Sequence, residues 1–417
     1  MSRVTTDVVV VGAGAVGASV AYELADGGAD VVLLDANPRV GDGCSAANAG
    51  LLTPSHVEPL ANSANVIAGA RSIVRPSGPF AMSPRPQLMP WMMRFLGSVG
   101  PKQVALRAAR LKELAAYSLR LHHSYATAGL GSGLASTGVL DVYSTQKSFD
   151  RASSALGETN RVRVLDAAGA RREQPSLGEV RGAVHHLGEA HCDGRQFVGA
   201  VSEAARRAGA VVRLGQAVTG VLVRNGRVLG VETTDGRIDA EHVVIAGGVG
   251  SSRLVRSVGH RLPMQAGKGY VIDVEASGPA PSIPISFKDL RVVATPYPDR
   301  LRICGTFELT GDDRSIDDRR IRSVLDGARG MLPSLRVESV LQARAGLRPC
   351  SPDGLPYIGR TRTTENLVFA TGHGMWGLTL APVTGRLVAK GILDEAPTLN
   401  EAALSPDRFR PLLTPAA

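Results

Sequence analysis

The sequence predicts an α/β (α+β) protein: a doubly wound, mainly parallel sheet joined to a second domain on a mainly antiparallel sheet. Three observations predict it. A buried-type valine run ending at Val11 leads directly into a glycine-rich turn and an apolar helix. Short β-type segments between Val211 and Ile245 are separated by hairpin turns and end in another apolar run. From about Pro263 to Ala343, β-type segments alternate with proline turns. A chain of 417 residues, 44% of them hydrophobic, can bury more than one core.

In chain order, Asp7 to Val11 holds four consecutive valines, as a strand covered on both faces requires. Gly12-Ala13-Gly14-Ala15-Val16-Gly17 follows, then a helix through Leu24, then a strand from Asp30 to Leu34 ending at Asp35. This is a βαβ unit. Between Leu51 and Ser98, the prolines Pro54, Pro59, Pro76, Pro79, Pro84, Pro86 and Pro90 break regular structure ahead of an amphipathic helix, Lys102 to about Ala126. A helix from Gln196 to Ala208 and a strand from Val211 to Val218 come next. Val221–Val223, Arg227–Thr233 and Arg237–Ile245 form a meander, turning at Asn225-Gly226 and Asp235-Gly236, the strongest short hairpin signals. Its last strand closes in Gly247-Gly248 and is expected to return to the main sheet. Leu301–Gly305 belongs to the second domain. Leu367–Ala370, the turn Gly372–Gly377 and a closing helix end the pattern.

Composition excludes several classes. The apolar stretch Val8 to Tyr22 covers 15 residues and contains three glycines, too short and too broken for a bilayer span. Only Arg3 precedes it and Asp7 abuts it, which does not suit a secretory signal, so a cytoplasmic protein is expected. Cys44, Cys192, Cys304 and Cys350 stand singly, with neither disulfide nor metal spacing. The excess of 47 Lys+Arg over 38 Asp+Glu, a charge of +9, is spread along the chain without an aromatic-interleaved basic patch, which argues against nucleic acid. The same charge is compatible with peripheral contact at the anionic inner face of a cell membrane.

The motif at Gly12–Gly17 sits between strand and helix, with Asp35 placed 18 positions beyond Gly17. That context makes it a Rossmann-like dinucleotide site. Gly12 permits the tight turn, Gly14 lets the backbone approach a pyrophosphate, and Gly17 packs helix on strand, while Asp35 accepts from an adenosine ribose. NAD and FAD both fit. The motif's place at residue 12 and a second glycine-rich strand-turn-helix near residue 372 favour FAD, spanned by both ends of the chain.

Ala345-Gly346-Leu347-Arg348-Pro349, Ser351-Pro352-Asp353-Gly354-Leu355-Pro356-Tyr357-Ile358-Gly359 and Thr371-Gly372-His373-Gly374 together resemble the D-amino-acid dehydrogenase family, within the D-amino-acid oxidase and glycine oxidase superfamily. Ser45-Ala46-Ala47-Asn48-Ala49-Gly50, Lys268-Gly269-Tyr270 and Arg302 to Leu309 extend the likeness over nearly the whole chain. The resemblance implies an FAD domain from residues 1–55, 150–260 and 345–405, a substrate domain from 56–149 and 261–344, and a tail at 406–417. It implies cofactor contacts at Ser45, Ala46, Asn48, Ala49, Gly50, Val218 and Gly247, beside the motif residues Gly12 to Gly17. FAD is expected without a covalent link, since no cysteine lies where the sarcosine oxidase branch attaches it.

The activity implied is oxidative deamination of a small amino acid, most often a D-amino acid, by hydride transfer from Cα to flavin N5, with oxygen or a quinone as electron acceptor. Alternatives left open are oxidation of glycine or a secondary amino acid such as a D-proline derivative, a flavin-dependent tailoring monooxygenase, and a flavin-binding subunit of a larger dehydrogenase. A homo- or hetero-oligomer is also left open. A planar guanidinium suits the substrate carboxylate, and the family places that residue at Arg348. The turn Gly372-His373-Gly374-Met375-Trp376-Gly377-Leu378-Thr379 precedes a helix, so its N–H groups can face the flavin N1/C2 edge. His373 is assigned to flavin contact or structure, because hydride loss from a neutral amine needs no base.

Two positions depart from the family. Arg344 stands where members more often have tryptophan, and its offset of four puts it on the strand face of Arg348. It either admits an anionic substrate or pairs with a neighbouring acid. Met375 replaces a second substrate-binding Arg of glycine oxidases, which argues against glycine. Tyr270 and Tyr297 are pocket candidates. His185, His186, His191 and Cys192 cluster in sequence, but a loop role outweighs a metal site.

Overall fold

Val8, Val9 and Val10 are buried to 1% exposure or less because both faces of their strand are covered. In the computed structural model, which describes residues 4–74, 80–82, 85–156, 161–394, 399 and 401–409, this strand is Val4–Val11. Pro76, Pro79, Pro84 and residues 410–417 of the expected tail lie outside the described residues.

Five parallel strands run in the order Val211–Leu214, Val31–Asp35, Val4–Val11, Gly236–Ile245 and Leu367–Thr371. Tyr357–Arg360 adds antiparallel to the last of these. Helices Ala15–Asp26 and Ala381–Leu393 pack on one face, with Leu111, Leu114 and Leu121 of the long helix Pro101–Thr127 in the same core. The meander Val218–Arg224, Arg227–Thr233 and the first half of Gly236–Ile245 covers the other face with Val221, Val228 and Val231. Asn225 at φ 52° and Gly226 at φ 74° make the expected left-handed hairpin turn. The last meander strand does return: Ile238 to Ile245 pair in parallel with Val4 to Val11. The expected strand Val211 to Val218 is interrupted at Gly215, whose N–H donates to Asn37 O.

The second sheet has nine strands, and its long members are Gln265–Ser277, Arg300–Leu309 and Arg336–Cys350. It takes in Val139–Tyr143, Val162–Asp166 and Gly182–His186. The last two fall in residues 150–260, where the first domain was expected, so that boundary moves to about residue 187. Alternating hydrophobicity marks a strand without saying which sheet it joins. For the same reason the helix Pro101–Thr127, expected with the substrate domain, lies on the first core, and Arg336–Cys350 keeps residues 345–350 in the second sheet. Nor is the start of the tail loose. Arg408 donates to the buried Asp353 carboxylate at 2.8 and 3.0 Å and lies 4.0 Å over the Tyr357 ring.

Candidate functional site

The two sheets meet at the loop Ser45–Gly50. From the first sheet, Ser45 Oγ accepts the Ala15 N–H at 3.0 Å, which ties the loop to the helix start after the glycine motif. Cys192 N–H donates to Gly50 O at 2.9 Å, and Asp193 caps the next helix by accepting from Arg195 and Gln196 N–H. From the second sheet, Thr295 Oγ1 donates to Ala49 O at 2.7 Å and Arg302 Nη1 to Asn48 O at 3.1 Å. Arg302 also grips Asp273 bidentately at 2.7 and 2.8 Å, while Arg300 pairs with Asp193. Burial would lower the Arg302 pKa, but the Asp273 carboxylate raises it, so the cation is fixed. Arg302 opens a segment that carried the family likeness, but Asp193, Asp273 and Arg300 belonged to no motif. The local signal for their placement was the alternation along Arg300–Leu309, which puts Arg302 and Cys304 on one face.

At the motif itself, Gly12 has φ +109°, and a Cβ there would come within 2.6 Å of Ala246 O, with the predicted Gly247 beside it. A Cβ at Gly17 would overlap Gly12 O, so helix and turn touch backbone to backbone. Asp35 Oδ2 accepts the Ala13 N–H at 2.6 Å, and Oδ1 accepts from Asn37 N–H and Nδ2, each at 2.8 Å. Oδ2 keeps a further lone pair, so the carboxylate is aimed and still able to accept from a ribose. Ala46 is buried at 1% exposure, Asn48 Oδ1 caps the Gly50 N–H at 2.7 Å, and Val218 opens the meander close to Gln216, whose N–H donates to Asp35 O.

Arg348 stands on the strand Arg336–Cys350, half-buried. Gly346, two residues before it, faces Ala47 of the loop, and Pro349 O after it accepts the Gly374 N–H at 2.8 Å. The guanidinium thus lies between the loop and the 372–379 turn. Its Nη1 donates to Thr306 O at 3.1 Å, and it sits 5.6 Å over the Phe307 ring. A bulge creates that seat. Lys268 pairs with Glu308 and Tyr270 with Gly305, so one extra residue enters the Arg300–Leu309 strand, and Thr306 takes φ 65°. The alternation flips there and Phe307 joins the face of Arg302 and Cys304. Among the described residues no carboxylate pairs with Arg348.

Other predicted residues are placed differently. Tyr270 is a correction: it is fully buried on the opposite face, in the core with Ile272 and Val274. Its neighbours Gly269 and Val271 face Arg348 and Ala47, and period-two alternation excludes Tyr270 from that side. Arg344 does share the face of Arg348, yet it donates to Gln342 Oε1, and its charged neighbours are Arg195, Asp42, Asp273 and Arg302. Burial is the main cause lowering its pKa. Tyr297 packs against Gly50 and donates to Cys192 O at 3.2 Å.

In the turn, Met375 is 38% exposed and borders a small cleft with Gly372, Gly374, Trp376, Leu60 and Phe307. The N–H groups of Gly374 and Trp376 are already given to Pro349 O and His373 O, whereas those of Met375, Gly377, Leu378 and Thr379 have no backbone acceptor among the described residues. His373 is buried, its Nε2–H donates to Thr384 Oγ1 at 2.9 Å, and burial pushes its pKa down to about 3. His185 sits 3.0 Å from Glu173 while His186 turns to Asp141, which also holds His56 at 2.9 Å and Lys288 at 3.3 Å. The sequence cluster is therefore not one constellation. His56, Asp141 and His186 do converge, with the Lys288 ammonium already supplying a cation at the shared carboxylate oxygen.

The model of the family "FAD dependent oxidoreductase" matches residues 7–390. The chain belongs to this FAD-dependent oxidoreductase family. Among relatives, a D-amino acid dehydrogenase of Paramagnetospirillum magneticum is 31% identical, over 96% of this chain and 98% of its own length. D-amino acid dehydrogenase 2 of Pseudomonas aeruginosa is 32% identical, over 96% and 98%. Glycine oxidase from Geobacillus kaustophilus shares the fold at a TM-score of 0.75 and 25% identity, covering 98% of this chain and all of that one. The glycine turn, the Asp35 carboxylate and the clamped loop fit the FAD of this oxidoreductase family: Gly14, where an added Cβ would meet only Ser45 Oγ at 3.4 Å, leaves the helix start open to a pyrophosphate. No helix among the described residues is long and apolar enough to cross a membrane.

Proposed function

We propose that this FAD-dependent oxidoreductase deaminates a D-amino acid oxidatively. The substrate binds as the neutral amine with its carboxylate on Arg348, loses a hydride from Cα, and leaves as an iminium that water converts to a 2-oxo acid and ammonia. The observation that carries this reading is the Arg348 guanidinium, half-buried, aimed by Thr306 O and Phe307, and without a carboxylate partner among the described residues. A partly buried, planar cation in that state is a receptor for a carboxylate. The names of the relatives support the amino acid and its D configuration.

FAD, bound without a covalent link, supplies the hydride acceptor. The chain's part is orientation. Arg348 holds one end of the substrate, Met375 and Trp376 border its other side, and the N–H groups of Gly377 to Thr379 at the start of the closing helix favour negative charge near them. His373, neutral and hydrogen-bonded to Thr384, keeps the turn in place and moves no proton.

Mixing the yellow protein anaerobically with a panel of D- and L-amino acids tests the reading. Loss of flavin absorbance with D-amino acids is expected, and a spectrum unchanged by every amino acid overturns it. Arg348→Met should raise KM greatly with FAD still bound. Acid precipitation should release the flavin into the supernatant. Following reoxidation with oxygen and with a soluble quinone identifies the acceptor.

A further inference from the structure

Two residues beyond Arg348 on the same strand, Cys350 O accepts the Trp91 Nε1–H at 2.9 Å. That bond fixes the helix Met89–Leu96 beside the anchor and commits the N–H of the indole that lines the space behind it. The space is a cavity of about 240 Å³, lined by Val66, Phe80, Met82, Trp91, Phe95 and Leu309, among others. Phe307 and Leu60 line both this cavity and the small cleft beside Gly372, Gly374, Met375 and Trp376. The Phe307 ring faces the Arg348 guanidinium at 5.6 Å and stacks on Phe80 at 5.5 Å, 13° from parallel. Anchor, dividing ring and cavity are thus consecutive neighbours.

Among the described residues the lining has no charged side chain. Its one amide, Asn65, is committed elsewhere: Nδ2 donates to Leu60 O at 2.9 Å, and Oδ1 is approached by Arg291 at 3.4 Å. A charged or polar group entering would lose its water without gaining a partner, whereas apolar surface would gain contacts. An apolar cavity of about 150 Å³ is already large enough to hold benzene.

We infer that this cavity receives the side chain of the substrate, which makes the substrates amino acids with a large apolar or aromatic side chain, of leucine or phenylalanine size. This rests on Arg348 being the carboxylate anchor. The carboxylate then lies on the guanidinium, and the side chain passes Phe307 and Leu60 into the cavity.

Carboxylic acids without an amine test the pocket independently of turnover. The FAD-loaded protein is titrated with propionate, 4-methylpentanoate and 3-phenylpropionate, binding being read from the flavin absorbance. Each buried methylene should tighten binding ~4-fold, and burial of the whole phenyl group should make 3-phenylpropionate bind on the order of 100-fold more tightly than propionate. A series in which all three bind equally overturns the inference. A steep series with no amino acid bleaching the flavin upholds the cavity and overturns the reaction alone, and failure of all three acids to bind overturns both. A Cβ at Gly69 would meet the Phe80 ring at 3.5 Å, an ordinary contact, so Gly69→Leu grows into the cavity. It should cut the kcat/KM ratio of D-phenylalanine to D-alanine about 10-fold or more, and an unchanged ratio in the folded variant counts against the cavity. Faster bleaching by D-glutamate or D-lysine than by D-phenylalanine would also sink it.

Discussion

The Arg348 guanidinium lies on the bare backbone of Gly269, where a Cβ would overlap it. Gly269 pairs with Gly346 across the two strands, so two glycines side by side open the floor on which the cation rests. Gly269→Ala should therefore push Arg348 off its seat without touching the glycine motif. Steady-state kinetics should show KM for the amino acid raised roughly 30-fold or more, the ~2 kcal/mol scale of a misplaced charge-assisted pair, with FAD content unchanged. A normal KM in Gly269→Ala would mean that the carboxylate binds elsewhere.

Thr306 is a β-branched residue at φ 65°, a conformation that costs about 1–3 kcal/mol for such a side chain. Its hydroxyl is buried without a hydrogen-bond partner among the described residues. Thr306→Gly should remove that strain and raise the thermal midpoint, while the freer bulge holds Phe307 and the Arg348-bonded carbonyl less firmly. The expected signature is higher stability together with lower kcat/KM. A variant that is both less stable and fully active would show that the bulge neither stores strain nor positions the anchor.

The βαβ unit and the hairpins were legible because they are local: four valines, three spaced glycines, and Asn-Gly or Asp-Gly turns act within a few residues. What escaped was set by pairing between distant segments. Tyr270 could be assigned to neither face of its strand until its neighbour Gly269 was seen against Arg348. Phe307 owes its side of the sheet to one inserted residue, and a bulge is invisible without the partner strand. Arg302, Asp273 and Asp193 come together from positions 302, 273 and 193, a constellation with no sequence spacing to find. Arg348 itself was reached through a family likeness, since a lone arginine carries no local signal of what it binds.

Gly17 and Gly12 meet backbone to backbone, and any Cβ at Gly17 must displace the turn. Gly17→Ala is expected to destabilise the protein by about 3 kcal/mol or more and to abolish FAD retention, because turn and helix start move together. Gly14→Ala is the informative control. Its Cβ would meet only Ser45 Oγ, at 3.4 Å, so the apoprotein should fold normally and lose FAD affinity through the pyrophosphate approach alone. Thermal melts of apoprotein and flavin content after gel filtration separate the two. Equal stability of both variants would contradict the packing role of Gly17.

Two buried histidines hold the 372–379 turn, and acid should release them. His122 Nε2–H donates to Leu378 O at 3.1 Å, and its pKa is lowered to about 4, by burial first and despite the Leu378 carbonyl. His373, bonded to Thr384, is lowered to about 3 by burial. Both are neutral when folded and would take up a proton more readily when unfolded, near the ordinary value of about 6.5. Below that pH the unfolded chain binds more protons, so stability is fully present above about 6.5 and falls as the pH drops towards 4 and 3. Each histidine contributes at most about 1.4 kcal/mol per pH unit across its window. Chemical denaturation between pH 4.5 and 7.5 should show this slope. His373→Gln keeps an N–H donor for Thr384 but cannot titrate, so its slope should be shallower than that of the parent by up to one histidine's share. An equal slope in both would place the acid sensitivity elsewhere.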